Sequence, residues 1–121
     1  MRRDWDVVRK ILIKIETTVV PGRDIDSDSL ESDGIDPAVA AYHMGLLLNA
    51  NLINGGSTKT MDSTLWCFAS GLTWEGHEFL DSIRQDTIWN KVKVIAAEKG
   101  LDLTFDTIKI AAKSAIGQLF G

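Results

Sequence analysis

Cysteine and proline are nearly missing from this sequence. Its 121 residues hold one cysteine, Cys67, so no disulfide can form within the chain. Prolines are two, Pro21 and Pro37, which leaves most of the chain free to be helical. No apolar run approaches the roughly 20 residues that a helical bilayer crossing needs. Two histidines, His43 and His77, and a single thiol fall short of a zinc shell. No phosphate-cradling glycine loop and no serine elbow occur. Catalysis is therefore not expected, and neither is a cofactor or a metal. The start, MRRDWDVVRK, has two early arginines but no apolar segment after them, so the expected location is the cytoplasm.

What is present is an ordinary globular composition, 45% apolar and 25% charged. The 17 acids outnumber the 13 bases, a balance that weighs against nonspecific nucleic-acid binding. Charge is also unevenly placed. Across residues 21–50, Asp24, Asp26, Asp28, Glu31, Asp33 and Asp36 face only Arg23, whereas Arg2, Arg3, Arg9, Lys10 and Lys14 make the start basic. Lys91, Lys93, Lys99, Lys109 and Lys113 do the same for the end, so a dipolar molecule is expected. The spaced acids at 24, 26 and 28 invite a calcium reading. They fail it, because Ser29 stands where the loop needs glycine and Ile35 where it needs a bidentate glutamate.

Periodicity divides the chain into elements. Trp5, Val8, Leu12 and Ile15 predict a helix over 4–18 with Asp4 as its cap. A polar connection follows, with a short strand expected near 29–31. Asp36-Pro37 is a clean helix start, and the helix should run to about residue 50, with Asn51 taking the left-handed position after it. Val39, His43, Leu46, Leu47 and Ala50 share one face, where His43 is expected to be a hydrogen-bonded structural residue. Asn54-Gly55-Gly56 reads as a turn signal after a short strand, with a polar tip over 57–63 and a second strand over 64–69. In that second strand Leu65, Cys67 and Ala69 alternate with Trp66 and Phe68, and Cys67 reads as a small buried thiol. Thr73 can cap the next helix, in which Leu80 and Ile83 are inward. Whether the helix continues, kinks or restarts at Asp86-Thr87 stays open. Gly100 ends the following helical run. Thr104 caps a last helix over 105–120, with Phe105, Ile108, Ala111, Ala112, Ala115, Ile116 and Leu119 facing inward.

Helix, short strand, helix, hairpin and a helix opened by LTWEGHEFL resemble the order of elements in winged-helix domains. YHMGLLLNANLI at 42–53 is similar to their junction between recognition helix and wing. More narrowly, RRDWDVVRKILIKIE, AYHMGLLLNANLI and LTWEGHEFLDSIRQDTIWNKVK resemble a family of short uncharacterised proteins common in phages and prophages. The resemblance implies an α+β, mainly α fold. It would comprise a winged-helix core over 1–86, with a C-terminal helical extension over 87–121. It brings no catalytic residues with it. Two departures stand out: the helix over 36–50 lacks the charged residues usual on such a helix, and Asn51 replaces a more usual glycine.

Two binding modes suit these residues. Ala38, Ala41, Gly45 and Leu48, at spacings of 3, 4 and 3, form a smooth strip beside Asn49 against which a helix could pack. Trp66 and Phe68 could add aromatic anchors. This strip predicts a protein partner, foreign or a second copy, unless it is covered by the chain's own last helix. The alternative is a DNA-binding regulator using the helix over 36–50 and the wing over 52–72, with Arg2, Arg3, Asn49, Asn51, Lys59 and Thr60 on the nucleic acid. Tight DNA binders neutralise about 6–10 phosphates. The uncharged helix and the single wing lysine tip the expectation toward a protein, in the setting of a host complex or a defence system.

Overall fold

A computed structural model describes residues 1–120 of the chain. Its elements are helix α1 (Trp5–Thr18), strand β1 (Ile25–Asp26), a 3-10 turn (Ser29–Asp33), helix α2 (Pro37–Asn49), strands β2 (Ile53–Lys59) and β3 (Leu65–Leu72), and helices α3 (Trp74–Ile83), α4 (Asp86–Glu98) and α5 (Phe105–Phe120). The fold is α+β and mainly helical, with one antiparallel sheet in the order β1-β3-β2. The chain divides into two compact units, 1–77 and 78–121, with the division falling inside α3.

In the first unit the helix starts follow their caps. The Asp4 carboxylate accepts from the amides of Asp6 and Val7, and Asp36 does the same for Ala38 and Val39. The inner face of α1 is Val8, Ile11, Leu12 and Ile15, all nearly inaccessible to solvent. Burying each such side chain stabilises by about 1.5–3 kcal/mol before chain entropy is counted. The end of α2 is a complete left-handed cap. Asn51 has φ 61°, its amide donates to Leu48 O, and the amide of Leu52 donates to Leu47 O. Asparagine thus serves here in place of glycine.

Two local expectations give way to longer-range contacts. The short strand lies at Ile25–Asp26, not at 29–31, because Ile25 pairs with Ala69 and Asp26 with Phe68. Ser29–Asp33 instead winds into the 3-10 turn. The Asp26 carboxylate accepts from the Ser29 amide at 2.9 Å, and the Ser29 hydroxyl donates to Asp26 O at 2.7 Å. Asn54-Gly55-Gly56 is no turn either. It lies within β2, and β3 carries the extra residue Ser70 between the partners of Asn54 and Gly55. Glycine is needed there for space. A Cβ on Gly55 would stand 2.0 Å from Phe68 O, and one on Gly56 would meet the Phe68 ring at 2.9 Å. The chain reverses later, over 60–64, around the Asp62 carboxylate, which accepts from the Thr60 hydroxyl and the Thr64 amide. Those hydrogen bonds, from Thr60 foremost, hold the Asp62 carboxyl below its ordinary range.

LTWEGHEFL joins β3 to α3. The Thr73 hydroxyl accepts from the Gly76 amide and donates to Asn51 O, while the Thr73 amide donates to Leu52 O. Helix α3 therefore starts directly against the end of α2, and Gly76 is buried where it meets Leu52.

In the second unit Phe79, Leu80 and Ile83 are buried, and the Phe79 ring stacks on Phe105 at 4.6 Å between centroids. The helical run restarts at Asp86, after Gln85 takes an extended conformation. Gly100, at φ 63°, closes α4, with its own amide and that of Leu101 returning to Ala97 O and Ala96 O. Thr104 and Thr107 cap α5 reciprocally through their hydroxyls and amides. Ile108, Ala111, Ala112 and Ala115 are buried as the spacing predicts, but Ile116 and Leu119 are 44% and 46% exposed. With 16 residues against 13 in α4, α5 carries one turn more than its neighbour can cover.

Gly76→Ala should be costly, because its methyl group would lie 1.9 Å from a main-chain oxygen, Leu52 O, that no rotamer change can move. A loss of about 3 kcal/mol is expected, at the upper end of overpacking penalties. Gly71→Ala is the control, since nothing lies within 4 Å of that position. It should change stability by less than about 0.5 kcal/mol in the same denaturant titration. Equal effects of the two substitutions would contradict the close approach.

Candidate functional site

Helix α2 lies against the inner face of the sheet. The Cys67 thiol donates to Ala41 O at 3.4 Å, and a Cβ on Gly45 would touch Leu65 at 3.7 Å. The buried side of α2 is Ala40, Ala41, His43, Met44 and Leu47. Ala38 and Asn49 are exposed, Gly45 and Leu48 half-buried. The smooth strip is therefore split: Ala41 belongs to the core, and Ala38 and Asn49 to the surface. Together with half-buried Tyr42 and Leu46 they leave α2 an outer side without a charged group.

Trp66 and Phe68 lie on the other side of the sheet. Along β3, Cys67 and Ala69 point inward and are fully buried, so the alternating pair faces out. Both rings are half-buried, with centroids 5.9 Å apart. The residues put forward as one protein-binding surface thus divide between two faces that the sheet separates.

Around the aromatic pair the sheet gathers acids. Asp26 pairs with Phe68 across β1 and β3, and a groove of about 300 Å³ runs between Asp24, Asp26, Trp66 and Phe68. A second groove, of about 460 Å³, has Trp66 as a wall too, with Asp28, Thr60, Met61 and Asp62 around it. No lysine or arginine lines either groove. Asp24, Asp26 and Asp28 read in the sequence as a solvated loop. Only the pairing of a two-residue strand places them beside Trp66, and a strand that short leaves no periodic signal.

The residues considered for nucleic acid do not assemble into a basic face. Lys59 pairs with Leu65, which puts it on the side of the sheet opposite Trp66. Asn51 is engaged as the left-handed cap, and Thr60 is bound to Asp62. Arg3 stacks on the Trp5 ring at 4.5 Å, and Arg2 is exposed beside it. These arginines start from the flank of α2, since the Asp4 amide donates to His43 Nε2 at 2.9 Å.

His43 is the buried polar residue of α2, 1% exposed. Its Nδ1 meets Val39 O at 2.8 Å, so Nδ1 carries the proton and Nε2 accepts from Asp4. Both nitrogens are used, Nδ1 within α2 and Nε2 in holding the start of α1 to α2. His77 lies 3.8 Å from the Glu16 carboxylate on a half-exposed surface. Among the described residues no three His, Cys, Asp or Glu side chains stand close enough to hold a metal. No helix among them is long and apolar enough to cross a membrane. Trp74, at the head of α3, is 76% exposed, a feature its place behind a capping threonine did not announce.

Structurally, then, this is a mainly helical α+β protein with two open faces, one uncharged and one acidic and aromatic. Residues 2–102 match the model of a family described as "Hypothetical protein (DUF2513)". An "Uncharacterized protein" of Haemophilus influenzae (strain ATCC 51907 / DSM 11121 / KW20 / Rd) is 38% identical over 119 residues, covering 98% of either chain. The chain belongs to the DUF2513 family. No solved structure matches it.

Burial pushes the Cys67 thiol above its ordinary value. At neutral pH it should resist a thiol reagent while the chain is folded and react once in denaturant. Fast, complete labelling of the folded chain would contradict the buried placement. The sign of the linkage also follows. Above the ordinary thiol range the unfolded chain releases a proton that the folded chain keeps, so stability should fall as pH rises through that window.

Proposed function

We propose that this chain is a non-catalytic, winged-helix-type protein of phage or prophage origin that works by binding another protein in the bacterial cytoplasm. A host complex or a defence system is the setting we favour. Several features support the fold part of this reading. β1 precedes α2 and pairs with β3, α2 leads directly into β2, and the hairpin returns to a further helix. Residues 1–86 would then form the winged core and 87–121 its helical extension. The phage setting rests on the resemblance of the three sequence stretches.

One observation carries the choice of partner. The helix that would read DNA presents Ala38, Tyr42, Leu46 and Asn49 outward, without a single base among them. Base-edge recognition relies chiefly on Arg, Lys, Asn and Gln, and phosphate contacts on Lys and Arg. A DNA-binding regulator would have to recruit Arg2, Arg3 and Lys59 across different parts of the surface. An uncharged helix face suits a protein surface better, because burying it leaves no charge unpaired.

The immobilised full chain, incubated with bacterial lysate, should retain protein in the same yield with and without nuclease treatment. Retention that disappears after nuclease digestion would overturn the protein reading in favour of the nucleic-acid one.

A further inference from the structure

The open face of the sheet carries a more specific statement about that partner. Trp66 stands between the two grooves, and around it Asp24, Asp26, Asp28 and Asp62 come from two separate parts of the chain. Asp24 to Asp28 arrive with β1 and the turn after it. Asp62 arrives with the hairpin tip, where Thr60 and Thr64 hold its carboxylate in place. The neighbouring bases stay away: Lys59 lies on the opposite side of the sheet, and Arg23 lines neither groove. An indole face among acidic groups attracts cations twice over, through its ring quadrupole and through the summed negative potential.

We propose that this face docks an extended segment of a partner protein bearing Arg or Lys at alternate positions. One cationic side chain lies in the groove between Trp66 and Phe68, facing Asp24 and Asp26. The next lies on the far side of Trp66, facing Asp28 and Asp62. Alternate residues of an extended segment project to one side, which is the arrangement two grooves sharing one wall require. Arginine suits the site better than lysine. Its planar guanidinium stacks on an indole and donates paired hydrogen bonds to a carboxylate, whereas an ammonium stays more strongly hydrated. The same charge that draws this segment repels phosphate, so nucleic acid is excluded from this side. The inference rests on the protein-binding reading and names the chemistry of its partner.

The test uses the full chain and fluorescent peptides of alternating Arg and Ser, or Glu and Ser, read by anisotropy. The Arg peptide should bind and the Glu peptide should not. The double variant Asp24→Lys/Asp28→Lys changes only exposed positions and should weaken the Arg peptide by roughly tenfold or more, as reversing charge in a complementary interface does. Trp66→Leu should weaken it by roughly fivefold or more through the lost stacking contact. Circular dichroism of each variant separates loss of binding from loss of fold. Equal binding by wild type and the charge-reversed variant would overturn the assignment to this face. Absence of binding to the Arg peptide would overturn the cationic partner while leaving the lysate result, and so the protein-binding reading, intact. Retention of nucleic acid alone in the lysate experiment would overturn both.

Discussion

The end of α2 and the start of α3 are held against each other by two carbonyl oxygens, Asn51 O and Leu52 O. Thr73 takes both, the first with its hydroxyl at 2.6 Å and the second with its amide at 3.1 Å. The left-handed turn at Asn51 presents those oxygens, and the missing side chain of Gly76 allows the approach. Each hydrogen bond is worth about 1 kcal/mol net, but together they fix more than their energy suggests. They set where β2 begins, because Ile53 must pair with Leu72 directly beside them. That register then decides which side chains of β3 face α2 and which face away. Cys67 and Ala69 go inward, Trp66 and Phe68 outward, and both open faces of the first unit follow from it.

Much of this was legible in the chain because the signals are local. Asp4, Asp36 and Asn51 cap their helices through groups within a few residues of themselves, so their chemistry can be read in place. The alternation around Cys67 is of the same kind. Where distant contacts decide, local signals point elsewhere. Asn54-Gly55-Gly56 has the composition of a turn, yet its glycines serve the bulge and the Phe68 ring across the sheet. Ile25 and Asp26 have no strand signal of their own and are ordered by β3. The candidate surface shows the same limit. That Trp66 and Phe68 pair on one face could be read from their spacing. That the sheet would separate them from Ala38 and Asn49, and set Asp24, Asp26, Asp28 and Asp62 beside them, depends on which face α2 covers.

Charge is what connects the fold to the proposed function. The molecule's excess of acid is not spread evenly over its surface, and the sheet concentrates part of it around an indole ring. The outer side of α2, by contrast, holds no charge of either sign. A polyanion meets repulsion on one face and no neutralising group on the other. A protein partner with an apolar patch or a cationic segment meets a complementary surface in either place. His43 takes no part in either role, since Nδ1 is bound to Val39 O within α2 and Nε2 ties α2 to the start of α1.

The most direct measurement of this account is a titration of the full chain against a labelled mixed-sequence DNA duplex, read by anisotropy from about 50 to 200 mM salt. The account predicts no saturable binding even at the low end of that range. Saturable binding that weakens steeply with salt, with the log–log slope of a protein covering several phosphates, would contradict it.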